Sequence, residues 1–213
     1  MIFPGELVVK GALDAGLSLL QGNTAFYTSD IFSLFTSDEQ TAIQAWLSAV
    51  TISPMTALPQ TNLQMPLVVV QLESQEEIRD SQWISSQGVM ILGSQSQGTD
   101  AQNILATPFR SVYAVHIQTP NQRELLWLQM ILKWCLLMER EWMETQMGLM
   151  NAQISASGLL PLDESTTRDT PTQYERVLVV TGDHVDSYQY SPSSTYVTST
   201  SVSLTPQSFT FGG

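Results

Sequence analysis

Apolar positions recur at helical spacing twice in the first fifty residues. Pro4 suits the first turn of a helix running to about Leu20, with Leu7, Ala12, Leu13, Leu17 and Leu20 as an uneven apolar stripe that Gly11 and Gly16 weaken. Thr36 followed three residues later by Glu39 is the reciprocal pattern that satisfies two orphan amides, so a second helix starts there and buries Ile43, Trp46, Leu47 and Val50. From Thr51 to Pro66 the prolines at 54, 59 and 66 each fix a dihedral and remove a donor, which predicts a surface linker without regular structure.

The pattern then changes to strands. Leu67 to Leu72 is apolar on both faces, as a central strand would be. Ile78, Trp83 and Ile84 suggest a hairpin return, Val89 to Leu92 a short strand, and the polar run from Gly93 to Asn103 a mobile loop. Val112 to Gln118 alternates, with Tyr113, Val115 and Ile117 on one face and Ala114, His116 and Gln118 on a wetter one. Thr119 as N-cap, Pro120 at the first helical position and Gln122 predict a long helix to about Gln146. Beyond it, Met150 to Leu160 alternates loosely, Pro161 to Pro171 is an acid-containing loop, and Tyr174 to Thr181 is a strong strand.

The 119 to 146 helix is the most informative segment. Between Leu125 and Met138, 12 of 14 residues are apolar, whereas a helix resting on one sheet needs an apolar arc of a little over about 100°. Its own N-terminal helices or another copy of the chain must cover the remainder. The last segment, Ser187 to Gly213, has no charged residue, and Val202 and Leu204, then Phe209 and Phe211, keep a two-residue period. It reads either as a disordered tail or as an arm that adds to a neighbour's sheet. The candidate contacts between copies are therefore Trp127, Trp134 and Met138 on the helix and Val202, Leu204, Phe209 and Phe211 in the arm. The fold class is α+β, a mostly antiparallel sheet covered on one face by the long helix. Residues 1–35 form an N-terminal helical extension, 36–186 the core domain and 187–213 the arm.

Composition narrows the partners. A net charge of -12, from 8 basic and 20 acidic residues, opposes binding to nucleic acid or to anionic membrane. Only 13% of residues are charged, so Ser, Thr and Gln must supply most of the polar surface. The single cysteine, Cys135, cannot form an internal disulfide, and the N-terminus lacks the charged and apolar blocks of a secretory signal.

Candidate chemistry is sparse. Asp183, His184 and Asp186 bring three donors within four residues, but on a strand Asp183 and His184 face opposite ways, leaving an incomplete set for a metal. Asp163/Glu164 and Glu76/Glu77 lie in polar, turn-rich segments where solvated charge is the default. His116 on a strand reads as a structural group, and Cys135 has no activating neighbour on its helix. No catalytic, cofactor-binding or metal-ligating constellation is expected; the least implausible enzyme site is Asp183, His184 and Asp186.

The order of elements resembles the tail terminator (tail completion, or neck) proteins of tailed bacteriophages. The resemblance rests on Pro66 to Leu72, on Tyr113 to Ile117 leading into the helix from Thr119, on Met150 to Leu160 and on Tyr174 to Val180, and it covers roughly residues 37–186. It implies a non-enzymatic virion protein, assembled in the host cytoplasm, that forms a ring, usually a hexamer. Such a ring caps the tail tube and joins it to neck and connector proteins, with the tail sheath as a further neighbour. The genome would pass through its channel without specific binding, as an acidic lining would favour. A head-side stopper or adaptor is the nearest alternative, and a small acidic enzyme a more distant one.

Overall fold

A computed structural model describes residues 4–57, 65–78, 103–156 and 174–190, with backbone alone for 103–107 and 187–190. The fold is α+β. Three helices, α1 (Gly5–Gly22), α2 (Thr24–Ile31) and α3 (Ser37–Ala49), precede β1 (Pro54–Met55), β2 (Leu67–Glu77) and β3 (Asn103–Thr119). Then follow α4 (Gln122–Met138), α5 (Arg140–Thr145), β4 (Met150–Ala156) and β5 (Tyr174–Tyr190). The five strands form one sheet in the order β1-β2-β3-β5-β4. Every pairing is antiparallel except the two-residue parallel match of Pro54 and Met55 with Val68 and Val69.

The capping pattern at the start of α3 is present in full. The Thr36 side chain accepts from the Glu39 amide at 3.3 Å, and Glu39 Oε2 accepts from the Thr36 amide at 3.4 Å. Several expectations need correction. The N-cap of α4 is Asn121, whose Oδ1 accepts from the Arg123 amide at 2.9 Å, while Thr119 ends β3 and donates to the Asn121 carbonyl at 2.8 Å. Asn121 prevails because its short side chain reaches an amide two residues on, whereas Thr119 is still held in the ladder opposite Tyr174. The helix does not run on to Gln146 unbroken: at Glu139 the backbone leaves helical geometry and a second, six-residue helix begins. The linker from Thr51 contains β1, because Pro54 needs no donor on an edge strand. Helix α2 was not foreseen, since Thr24–Ile31 has almost no apolar periodicity and buries only Thr28. The expected hairpin return, the 89–92 strand and the acid-containing loop lie outside the described residues, as does the polar loop up to Gln102; Asn103 already belongs to β3.

One hydrophobic core joins the helices to the sheet. α1 contributes Val8, Val9, Ala12, Leu13, Leu17 and Leu20; α4 contributes Leu125, Trp127, Leu128, Ile131, Leu132, Cys135 and Leu136. Val68 and Val70 of β2, Tyr113, Val115 and Ile117 of β3, and Leu178 and Val180 of β5 meet them. The alternation read for β3 is therefore correct. Residues 5–22, read as part of an extension, are integral to this core. The apolar girth of α4 is accordingly covered mostly from within, leaving only Leu126, Leu137 and Met138 of its large apolar side chains exposed. It does not by itself demand another copy of the chain.

Helices α1 and α4 approach very closely at one point. A Cβ placed on Gly16 would lie 2.5 Å from Cys135 Cβ and 2.7 Å from its Cα. The thiol is fully buried there, and burial pushes its pKa up to about 12, so Cys135 acts as a small apolar filler. Across the other side, Arg123 stacks at 4.9 Å over Trp127, which packs on Trp46 at 5.9 Å, and Arg123 Nη2 reaches Glu39 Oε1 at 3.3 Å. These contacts tie α3 to α4.

The sheet outruns this core. Among the described side chains, the last β3–β5 pair that belongs to it is Tyr113 and Val180, yet β3 and β5 stay in register for ten more pairs, from Val112 and Thr181 to Asn103 and Tyr190. At about 3.3 Å per residue this is a ribbon on the order of 33 Å long. β2 accompanies it only as far as Glu77, opposite Phe109.

Replacing Gly16 by Ala should force α1 away from the α4 backbone and lower stability by about 1–3 kcal/mol despite the better helix propensity of alanine. Urea unfolding of the variant checks this, and an unchanged midpoint would contradict the close approach.

Candidate functional site

At the base of the ribbon, where the core ends, polar side chains gather on both faces of β5. Strand alternation sends Asp183 one way and His184 and Asp186 the other, as the sequence implies. All three are buried, with 2%, 1% and 4% of their surface exposed.

Asp183 is clamped by Arg110, directly opposite on β3. Nε donates to Oδ1 at 2.8 Å and Nη2 to Oδ2 at 3.2 Å, a two-point geometry that matches the planar guanidinium to the carboxylate. Asn151 adds its Nδ2 to Oδ2 at 3.2 Å. It can do so because it sits at φ 55°, a conformation asparagine tolerates, where the β4 register shifts between Met150 and Gln153. The hydrogen bond and charge of Asp183 hold the Arg110 pKa above its ordinary value.

His184 lies on the face shared with the helices. Gln75 Nε2 is 3.3 Å from its Nε2, a contact whose direction is set by the tautomer of the ring. Phe109 stacks on the ring at 6.0 Å between centroids. Burial lowers the His184 pKa, against the opposing pull of Asp186 and Asp183. A cleft of about 180 Å³ opens beside it, lined by Pro4, Gly5, Glu6, Leu7, Leu72, Gln75, Tyr113 and His184. The Tyr113 hydroxyl lies where a Cβ on Gly5 would sit, only 1.8 Å away, so glycine alone admits the phenol at the start of α1. Burial raises the Tyr113 pKa.

An orienting carboxylate acts on a general base from about 2.6–3.2 Å, and Asp186 Oδ1 is 3.7 Å from His184 Nε2. Among the described residues no group of three or more His, Cys, Asp or Glu side chains could hold a metal ion. The arrangement is that of a packed polar joint at the root of the ribbon. His116, on the other face, lies between Glu175 Oε1 at 2.7 Å from Nδ1 and Glu73 Oε1 at 3.4 Å from Nε2.

The candidate interface residues are scattered. Trp127 is buried inside the protein and offers little surface, Trp134 is half-buried against Tyr27 at 5.0 Å, and Met138 is exposed. Val202, Leu204, Phe209 and Phe211 lie outside the described residues, whereas 187–190, read as the root of the arm, continue β5. The Arg110 clamp, the Gln75 contact and the Glu6 wall of the cleft were not foreseen: they join residues up to 109 positions apart, and nothing local marks them. No protein-family model matches the chain, and no curated protein matches it. No helix among the described residues is long and apolar enough to cross a membrane.

Two outcomes follow from this geometry. Arg110→Ala leaves a buried carboxylate without its guanidinium and should cost about 2–3 kcal/mol in urea unfolding, more than Asp183→Asn, which removes the charge and with it the need for a counter-ion. For His184, a folded pKa below the ordinary 6.5 means that the unfolded chain holds more protons in the window beneath 6.5. Stability should therefore fall as pH drops through that window, and His184→Gln should flatten that part of the profile. Identical profiles for the two proteins would contradict the buried neutral ring.

Proposed function

We propose that this protein is a non-enzymatic structural subunit of the neck or tail junction of a tailed bacteriophage. It assembles as a ring, hexameric in the family it resembles, that closes the tail tube and joins it to the head-side connector. In this reading α4 is the cover of one sheet face, the uncharged C-terminal segment is an arm, and the particle rather than the single chain is the functional unit.

The observation that carries the reading is the ribbon of β3 and β5. It continues past the last core pair, and over its last five pairs, Thr107 with Asp186 to Asn103 with Tyr190, no third strand is described beside it, a length of about 17 Å; two strands alone are marginally stable in water. A ring subunit can lay such a projection against the next copy or the adjoining ring. The excess of acids, 20 to 8, suits a channel through which DNA slides without sticking. Its partners are then further copies, the tube protein, neck and connector proteins and, in a contractile tail, the sheath.

Native mass spectrometry and negative-stain microscopy of the purified protein, alone and with tail tubes, test the proposal. The expected result is a closed ring that binds tube ends. Binding to head-side connector rings but not to tubes would make it a stopper or adaptor instead, and a monomer that ignores both would overturn the reading.

A further inference from the structure

Among the described residues, the outer edge of β2 is where main-chain pairing is left open. β1 covers this edge only at Val68 and Val69, and among the described strands no other lies beside it, although β2 runs on to Glu77. The amide of Leu72, at the register shift between Leu72 and Ser74, is bonded to Glu6 Oε1 of α1 at 2.9 Å, so a side chain rather than a strand satisfies it. From Leu72 to Glu76 every residue is exposed. Leu7 and Leu72, 58% and 42% exposed, flank the cleft next to this edge. An open edge with apolar side chains beside it is a template for another strand.

We propose that this edge is completed by residues 191–213 of a second copy of the chain, added as a strand. The inference deepens the ring-subunit reading and rests on its claim that copies associate. Charge selects the occupant. Glu73 and Glu76 line the edge and Glu6 adjoins it, so two such edges cannot pair without setting acids against acids. The chain has three uncharged stretches of 19 residues or more, 40–72, 81–99 and 187–213. Most described residues of the first are built into α3, β1 and β2, and of the other two only 187–213 keeps a two-residue apolar period. Reach agrees. β5 ends at Tyr190 opposite Asn103, at the far tip of the ribbon, and the 23 residues that follow span up to about 76 Å when extended. The two-residue spacing of Val202 with Leu204 and of Phe209 with Phe211 would set apolar side chains on one side of the added strand, facing Leu7, Leu72 and the cleft.

The test compares the full chain with one ending at Tyr190, which removes no described residue, by sedimentation velocity and amide hydrogen exchange. The full chain should associate as its concentration rises; the shortened chain should stay at protomer mass and exchange its Leu72–Glu76 amides at least about tenfold faster. A synthetic peptide of residues 191–213 should slow that exchange again in the shortened chain and compete with self-association of the full one. Unchanged association after truncation, unchanged exchange at 72–76, or equal protection in the full chain when it is dilute and monomeric would each overturn the proposal, the last by assigning the edge to the chain's own segment. Tube binding measured in parallel separates the two readings. A chain that associates through this segment but ignores tubes defeats only the tail function, and one that caps tubes without residues 191–213 defeats only this inference.

Discussion

The pairing of β3 with β5 outlasts the hydrophobic core that supports it, and most of what distinguishes this protein depends on that mismatch. Up to Tyr113 and Val180 the sheet is held by apolar side chains from α1 and α4. Past that point it is held by backbone hydrogen bonds and by polar joints such as Arg110 with Asp183. Backbone ladders of this kind gain little on their own, because water satisfies the same groups in the unfolded chain. The buried polar cluster at the base of the ribbon is therefore best understood as the fitting that fixes where the projection leaves the body.

The helical layer shows how little separates a self-sufficient subunit from an assembling one. An apolar helix such as α4 looks from its sequence as though it must find another chain. The close passage of α1, permitted by the missing side chain at Gly16, removes most of that need. In the proposed assembly the impetus for association would pass from the helix to the sheet: to a ribbon that extends beyond the described hydrophobic core and to the β2 edge near Leu72. Scarce charge over the chain as a whole, 13% of residues, fits surfaces that partners cover.

Much of the fold was legible because burial imposes periods on the sequence. Tyr113, Val115 and Ile117 alternate since one face of β3 meets the helices, and Thr36 with Glu39 announces α3 since orphan amides need acceptors. The missed features share a cause as well. The stretch Gly182 to Tyr190 reads Gly-Asp-His-Val-Asp-Ser-Tyr-Gln-Tyr, whose even positions up to 186 are glycine, histidine and aspartate, so no hydrophobic period betrays that it is a strand. α2 is equally silent. The polar cluster escaped notice because its pairs are remote in sequence and are brought together only by the β3 and β5 register. Strand alternation did, however, separate Asp183 from His184 correctly.

Amide hydrogen exchange of residues 103–110 and 183–190, followed as a function of protein concentration, tests the central claim most directly. If other copies hold the ribbon, protection there rises in step with the mass of the assembled species, while core amides of α4 stay protected throughout. A ribbon as strongly protected in a dilute monomer as in concentrated protein would show that the chain supports it unaided, and the case for an assembling subunit would fail.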